Sequence, residues 1–472
     1  MTPSTTDPIP SLTAQFQRTL AAHRAQVYPS AATRRDRLSR LEAALLSHAN
    51  ELVHAMQADF GYRSPTEAGV FDVTVPLGDI RQNRRHLAGW MKPRRVGMPW
   101  HLLPASGRVM PQPKGVVGVI APWNFPVYLS LAPVAAAFAA GNRVMLKPSE
   151  LTPRTSAVMA RMAASAFDRD EWSVHTGGVA LARAFADLPF GHLLFTGSTR
   201  VGREIAVAAA RNLTPVTLEL GGKSPAIVGE HANLRRAAER IAFGKCANAG
   251  QICVAPDYVL VPRSQLDAFV QEAERALLAY YPQGAASPDF SSIVCEQHHT
   301  RLQAMLDEAQ ARGAQLRQPV GGNAEPRKLA PTLVIDPPAD CQLMKEEIFG
   351  PILPVVPYDS LAQAQAFVNR QPAPLALYIF SENTREQQAW LRGTLSGGAC
   401  VNETAFHVLA DTLPFGGVGE SGSGAYHGKA GFDTFSHLKS VLSQPRLNGA
   451  FLFNPPIGPL QHKVGLLLRR FI

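Results

Sequence analysis

The stretch GVVGVIAPWNFPVYLSLAPVAAAFAAGNRVMLKPSE, residues 115–150, decides the fold class. It opens with the short apolar run GVVGVIAP, continues through the helical PVAAAFAAG and returns to a second run in NRVMLKPSE. Working outward, a helix is expected through MARMAASAF (159–167), a strand in HLLFTGST (192–199) and a helix in VGREIAVAAAR (201–211). Strands that alternate with helices imply βαβ units around a buried parallel sheet. After TPVTLELGG (214–222) the alternation restarts, with a helix over 232–249, a strand over 255–262 and a helix over 264–281. Two α/β domains joined near residue 220 are therefore expected. Upstream, Leu38, Leu41, Leu45, Leu52, Val53 and Met56 fall at helical spacing, which predicts a long helix over 31–60 ended by Gly61.

The chain has 472 residues, too many for one hydrophobic core, so two or three domains are expected. With 46% hydrophobic and 18% charged residues, it is neither disordered nor fibrous. The net charge is +9, but the basic residues are scattered. Their densest run, RRHLAGWMKPRR (84–95), reads as a solvated helix end and loop, so no nucleic-acid partner is expected. The five cysteines (246, 253, 295, 341 and 400) form no CxxC pair, which fits a reducing cytoplasm better than a disulfide framework or a zinc module. Cys295, His298 and His299 in CEQHH read as a helix start, and no metal is expected. Cys246, Cys341 and Cys400 read as buried and inert. The N-terminus lacks a basic segment followed by an apolar one, and no uncharged run reaches the roughly 18 residues of a membrane helix, so a soluble, unprocessed chain without a stable membrane anchor is expected. The tail NPPIGPLQHKVGLLLRRFI (454–472) has a short apolar stretch broken by Arg469 and Arg470, so it is not expected to span a membrane, though it could lie on a surface.

Two glycine-rich matches mislead. Gly417, Gly419 and Gly422 satisfy GxGxxG, but no strand-to-helix unit surrounds them, and LELGGKS has Thr217 where a phosphate loop needs its first glycine. FTGSTRVG (195–202) is a better nucleotide candidate, because it ends a strand and opens a helix whose amides could face a pyrophosphate. In LKPSE (146–150), Lys147 and Glu150 sit in another strand-end loop, where they could hold ribose hydroxyls. Cys253, in NAGQICVAPDY (248–258), is on composition alone as well read as a packing residue as a nucleophile.

APWNFP (121–126), KPSE (147–150), FTGSTRVG, LELGGKSP (218–225), GQIC (250–253), EEIFGP (346–351) and PFGG (414–417) occur in the order seen in the aldehyde dehydrogenase superfamily. CANAGQICVAPDY and PFGGVGESGSGAYHG resemble its class 3 branch, whose members are dimers with relaxed substrate and cofactor preference. IRQNRRHLAGWMKPRRV and PQPKGVVGVIAPWNFP are similar to the bacterial coniferyl aldehyde dehydrogenases.

The resemblance implies an aldehyde dehydrogenase-like α/β fold. A Rossmann-type parallel-sheet cofactor domain would span 1–98 and 115–219, beginning with a helical layer, and an α/β catalytic domain 220–422. A small oligomerisation element would use 99–114 and 432–447, and 448–472 would form the tail. It implies Cys253 as the nucleophile that adds to the aldehyde, Asn124 and the Cys253 backbone N–H as oxyanion donors, and Glu219 as the base for hydrolysis of the resulting thioester. It implies Lys147 and Glu150 as a ribose clamp, Gly197 and Ser198 as the pyrophosphate loop, and Glu347 with Phe349 as the nicotinamide pair. NAD is the expected cofactor, with NADP left open by Lys147 and Arg200. The expected substrate is a coniferyl-type aromatic or medium-chain aliphatic aldehyde, in a tunnel lined by Phe125, Tyr128, Phe406, Phe451 and Phe453, and the expected assembly a homodimer. The alternatives are a cysteine-dependent hydrolase or acyltransferase using no nicotinamide, or a catalytically silent homologue.

Overall fold

The computed structural model describes residues 8–321 and 327–471. In chain order the strands are β1 (Arg94–Val96), β2 (Ser106–Pro113), β3 (Val116–Ile120), β4 (Arg143–Lys147), β5 (Trp172–Val174), β6 (His192–Gly197), β7 (Val216–Leu220), β8 (Pro225–Val228), β9 (Tyr258–Pro262), β10 (Gln315–Arg317), β11 (Thr332–Ile335), β12 (Ile352–Tyr358), β13 (Ala376–Phe380), β14 (Gly398–Val401), β15 (Gly422–Ser423) and β16 (Ser436–Ser443). They form three sheets: β15-β7-β6-β3-β4-β5, β10-β11-β12-β9-β8-β13-β14 and β1-β2-β16. The first two are parallel except at β15 and β10, and the third is antiparallel. Every residue of β3, β4, β8, β9 and β13 is buried, as expected of parallel strands covered on both faces by helices.

The stretch 115–150 folds as strand, helix, strand. Its helix, Tyr128–Ala140, is buried along its whole length and stops at Gly141, whose φ of 92° suits a residue without a Cβ. The N-terminus of this helix is held from another segment: Asp72 Oδ1 accepts the N–H groups of Val127 and Tyr128 at 3.0 and 3.1 Å. Asp72 Oδ2 in turn meets Arg63 Nη2 at 2.8 Å, with both side chains fully buried. The long helix, Ala31–Phe60, begins at Ser30, whose hydroxyl accepts the Thr33 N–H, and ends at Gly61. Of the six residues expected on its apolar face, Leu38, Leu41, Leu45, Leu52 and Met56 are buried, and Val53 packs at the edge of the same core.

Two details differ from expectation. Residues 84–95 are not simply helix end and loop, because helix Val75–Trp90 is followed by β1, which pairs with β2 from Arg94↔Val109 to Val96↔Gly107. The three-stranded sheet therefore starts at Arg94 rather than 99. An exposed, arginine-rich strand of three residues carries no apolar run to reveal it.

What positions the site is the alignment of strand ends. Ile120 pairs with Lys147 on one side and Phe195 on the other, Thr196 with Glu219, and Gly197 with Leu220. The carboxyl ends of β4, β3, β6 and β7 thus share one edge. From β3 the chain runs outward to β4 and β5, then returns to place β6 on the other side, so a crevice opens at this change of direction. Only residues 221–224 separate β7 from β8, which places Glu219 where the first sheet passes into the second.

Candidate active site

Cys253 follows a strained turn. Helix Leu234–Cys246 ends, and Asn248 (φ 46°), Ala249 (φ 52°) and Gly250 (φ 73°) are all left-handed. Two consecutive non-glycine residues in this region are costly, so neighbouring contacts must hold them. At Gly250 a Cβ would lie 2.3 Å from the Gly350 carbonyl oxygen, so no side chain fits there. Gln251 supplies much of the hold. Its Nε2 donates to the carbonyls of Asn248 (2.9 Å) and Ser292 (3.0 Å), and its Oε1 accepts the Val294 N–H (2.9 Å). Cys253 itself is partly exposed. Burial, with the Glu347 and Glu219 carboxylates adding to it, pushes its thiol up to about 12. That environment favours the thiol over the thiolate at neutral pH.

Asn124, buried in the loop after β3, donates from Nδ2 to the Gln251 carbonyl at 3.0 Å, while its own carbonyl accepts from Asn248 Nδ2 at 3.0 Å. A carboxamide has two N–H groups, so one remains for a ligand. Glu219, near the end of β7, is buried, and among the described residues neither carboxylate oxygen has a hydrogen-bond partner. Burial alone disfavours its charged form and raises its pKa well above the usual carboxylate range.

Glu347 approaches so closely that a Cβ on Gly221 would stand 2.0 Å from its Oε2. Burial, with Asp257 adding to it, pushes the Glu347 carboxyl up to about 8. Its neighbour Phe349 has φ 51° and meets Trp123 edge-on at 5.4 Å. Trp123 also packs on His298 at 5.3 Å. The helix start expected at CEQHH is present as Glu296–Ala311, and its half-buried His298 packs on this aromatic cluster. Lys223, the lysine of the phosphate-loop lookalike, is a clamp: it pairs with Asp257 and donates to the carbonyls of Leu343 (2.7 Å) and Glu346 (2.9 Å). Asp257 Oδ1 then accepts the Ile348 N–H at 2.8 Å, so the two residues fix the segment that carries Glu347.

On the crevice side, the nearly buried Lys147 reaches Glu150 Oε2 at 2.5 Å, leaving the Glu150 side chain 42% exposed. Gly197 ends β6, and Ser198 caps helix Thr199–Arg211, which has no acidic residue in its first turn. Thr196 Oγ1, at the same strand end, is buried without a partner. An acid-free helix N-terminus suits a pyrophosphate, and the Glu150 and Glu347 carboxylates retain acceptor capacity for ribose hydroxyls, so these residues fit a dinucleotide.

Cys253 forms part of the wall of an apolar cavity whose lining includes Phe71, Phe125, Tyr128, Phe243 and Phe406. Phe125, Tyr128 and Phe406 were expected there, whereas the side chains of Phe451 and Phe453 lie outside the described residues. At the outer end, Arg240 stacks over Phe243 (4.6 Å) and Phe406 (5.2 Å) and pairs with Glu403 at 2.7 Å. Cys246 and Cys341 are buried, but Cys400 is not: it is partly exposed, with Sγ 3.2 Å from His407 Nδ1. Among the described residues no group of three or more His, Cys, Asp or Glu could hold a metal, and no helix is long and apolar enough to cross a membrane.

The model of the aldehyde dehydrogenase family matches residues 13–441. The chain belongs to the aldehyde dehydrogenase family. It is 47% identical over 450 residues to "Probable coniferyl aldehyde dehydrogenase" of Pseudomonas aeruginosa, covering 95% of this chain and 94% of that one. It is 45% identical over 459 residues to "Coniferyl aldehyde dehydrogenase" of a Pseudomonas species, covering 96% and 94%. The substrate-bound structure of Staphylococcus aureus AldH superposes with a TM-score of 0.91 at 38% identity, covering 97% of this chain and 99% of that one. The protein is thus an enzyme of aldehyde oxidation with the aldehyde dehydrogenase fold, in an NAD(P)-dependent family.

Proposed function

We propose that the chain oxidises bulky apolar aldehydes to acids, with coniferyl-type aromatic aldehydes as first choice and medium-chain aliphatic ones second. The observation that carries this is the apolar, aromatic-lined cavity with Cys253 in its wall. The names of the two Pseudomonas relatives support the aromatic choice.

In this reading Cys253 sulfur forms a bond to the carbonyl carbon as its proton passes to solvent, and the carbonyl electron pair moves to oxygen. The free N–H of Asn124 and the Cys253 backbone N–H stabilise that oxyanion. Bound nicotinamide supplies the hydride acceptor, with Lys147, Glu150, Gly197, Ser198, Glu347 and Phe349 holding the dinucleotide. Once hydride is lost, Cys253 carries a thioester. Glu219 takes a proton from water as the water oxygen bonds the acyl carbon, the carbon–sulfur bond breaks as the sulfur takes that proton back from Glu219, and the acid leaves with base and thiol both restored. Burial holds its pKa above the usual carboxylate range, which makes the ionised form a stronger base toward water than an exposed carboxylate. Glu150 favours NAD, because a 2'-phosphate would be repelled, while Lys147 and the exposed Arg200 leave NADP open. The same reading makes the protein a cytoplasmic homodimer joined through β1-β2-β16.

The test is a comparison of specificity constants for coniferyl aldehyde, medium-chain aldehydes and acetaldehyde, each with NAD and with NADP. The cinnamyl-type substrate is expected to lead. Acetaldehyde ahead by about tenfold or more would overturn the substrate assignment, since each buried methylene is worth roughly 1–3 kcal/mol.

A further inference from the structure

The strained turn before Cys253 is held on its other side by a carboxylate that belongs to neither the aldehyde cavity nor the cofactor crevice. Glu67 sits on the short helix Pro65–Ala68, whose cap Ser64 accepts the Glu67 N–H. Oε1 and Oε2 of Glu67 each lie 3.2 Å from the backbone nitrogen of Asn248, the first left-handed residue of the turn. Oε2 also accepts from Ser291 Oγ at 3.2 Å, and Ser291 Oγ accepts the Ser64 N–H at 3.4 Å. Ser292, the next residue, is the one whose carbonyl holds Gln251, and its own N–H donates to the Tyr62 carbonyl at 2.9 Å. The turn is therefore gripped between Gln251 on one side and Glu67 on the other, with segment 291–294 tied to both.

We propose that Glu67 is a positioning residue: by bridging the Asn248 N–H and the Ser291 hydroxyl it fixes the turn that presents Cys253, and so sets the rate of the chemical step without touching the substrate. Asn248 tolerates left-handed geometry as a single residue but Ala249 does not favour it, and two such residues in succession persist only where surrounding contacts over-determine them. Asn248 also links this anchor to the oxyanion site, since its Nδ2 donates to the Asn124 carbonyl. Loosening Glu67 therefore shifts the nucleophile and its oxyanion donor together, whereas the aldehyde cavity keeps its walls. The inference rests on Cys253 being the nucleophile.

The test uses the full-length enzyme and four variants. Glu67→Ala is expected to lower kcat on the order of 10- to 100-fold, with the aldehyde KM changed by less than about threefold. It should slow iodoacetamide alkylation of Cys253, followed by peptide mapping, in parallel. Glu67→Asp keeps the charge but withdraws the carboxylate by one carbon, so it should show the same direction of loss even if the alanine variant folds poorly. Glu67→Gln keeps an acceptor at full reach and should recover to within about threefold of wild type. A folded Glu67→Asp with wild-type kcat and alkylation rate would overturn the proposal, as would a Glu67→Gln no better than the aspartate variant. Cys253→Ala separates the two levels. If it retains turnover, the nucleophile assignment fails; if it is dead while Glu67→Asp is normal, only the positioning role fails.

Discussion

In the proposed mechanism Asn124 has two separable jobs, and replacement by alanine removes both. One N–H binds the Gln251 carbonyl at 3.0 Å, and the other is free to meet the oxygen of a substrate carbonyl. The first job is structural, and a single intramolecular hydrogen bond contributes about 1 kcal/mol. That loss is cushioned, because Asn248 Nδ2 still lies 3.4 Å from the same carbonyl, and the Asn248 bond to residue 124 uses the backbone oxygen, which alanine keeps. The second job acts only as charge develops on oxygen, and loss of one preorganised donor costs roughly 100- to 1,000-fold in kcat, about 2.7–4 kcal/mol. Asn124→Ala is therefore expected to unfold close to the wild-type denaturant midpoint yet lose two to three orders of magnitude in kcat. Single-turnover formation of reduced cofactor, followed after mixing with saturating aldehyde, reads the affected step directly. Asn124→Asp should be slower still, because an acceptor-only carboxylate would face both the Gln251 carbonyl and the developing oxyanion. A kcat for Asn124→Ala within about tenfold of wild type would refute the assignment of Asn124 as an oxyanion donor.

Gly250→Ala should abolish activity and soluble expression together, since the new Cβ meets the Gly350 carbonyl at 2.3 Å and the backbone stays at φ 73°; an active, soluble variant would contradict the turn geometry. Phe406→Ala should lower the specificity constant for coniferyl aldehyde by about tenfold and that for acetaldehyde far less, because it removes one wall of the outer cavity and the ring under Arg240; equal losses for both substrates would argue against that wall. Burial, with Asp411 adding to it, raises the Asp79 carboxyl from 3.8 to about 7, and its Oδ2 has no hydrogen-bond partner among the described residues. A raised folded-state value favours the protonated form, so wild-type stability falls as pH rises from about 4 through about 7, by up to roughly 4 kcal/mol. Asp79→Asn should accordingly be more stable than wild type at about pH 8 and lose most of that advantage by about pH 5, as read by urea unfolding; no gain at the higher pH would show that the carboxylate is not stranded.

The parts of the molecule written in local pattern were the parts readable in the sequence. Helix Ala31–Phe60 announces itself through leucine spacing and a glycine stop, and the parallel strands through β-branched runs long enough to be buried on both faces. Asn124, Glu219, Cys253 and Glu347 each sit inside a short motif, so all four were candidates before any geometry was known. The contacts that hold them are of another kind. Asp72 reaches the start of a helix 55 residues away, Glu67 an amide 181 residues away, and Lys223 two carbonyls about 120 residues away. A lone acid or base in an ordinary context carries no mark of such a partner. LELGGKS shows the converse, since its lysine looked like part of a phosphate loop and is a clamp on the Glu347 segment. β1 escaped notice because arginine-rich strands lack apolar alternation, and Cys400 was misjudged because the adjoining apolar residues said nothing about His407, which the loop brings back against its sulfur.

The central claim, that Cys253 carries the acyl group and Glu219 releases it, is tested most directly by trapping that intermediate. Glu219→Gln enzyme is mixed with coniferyl aldehyde and NAD, quenched in acid and mapped by peptide mass spectrometry, while reduced cofactor is followed in parallel. The expected result is a burst of about one reduced cofactor per site, then a depressed steady state, with the acyl mass on the peptide containing Cys253. An acyl group on another residue, or no burst and no adduct while the variant still binds NAD, would contradict the account.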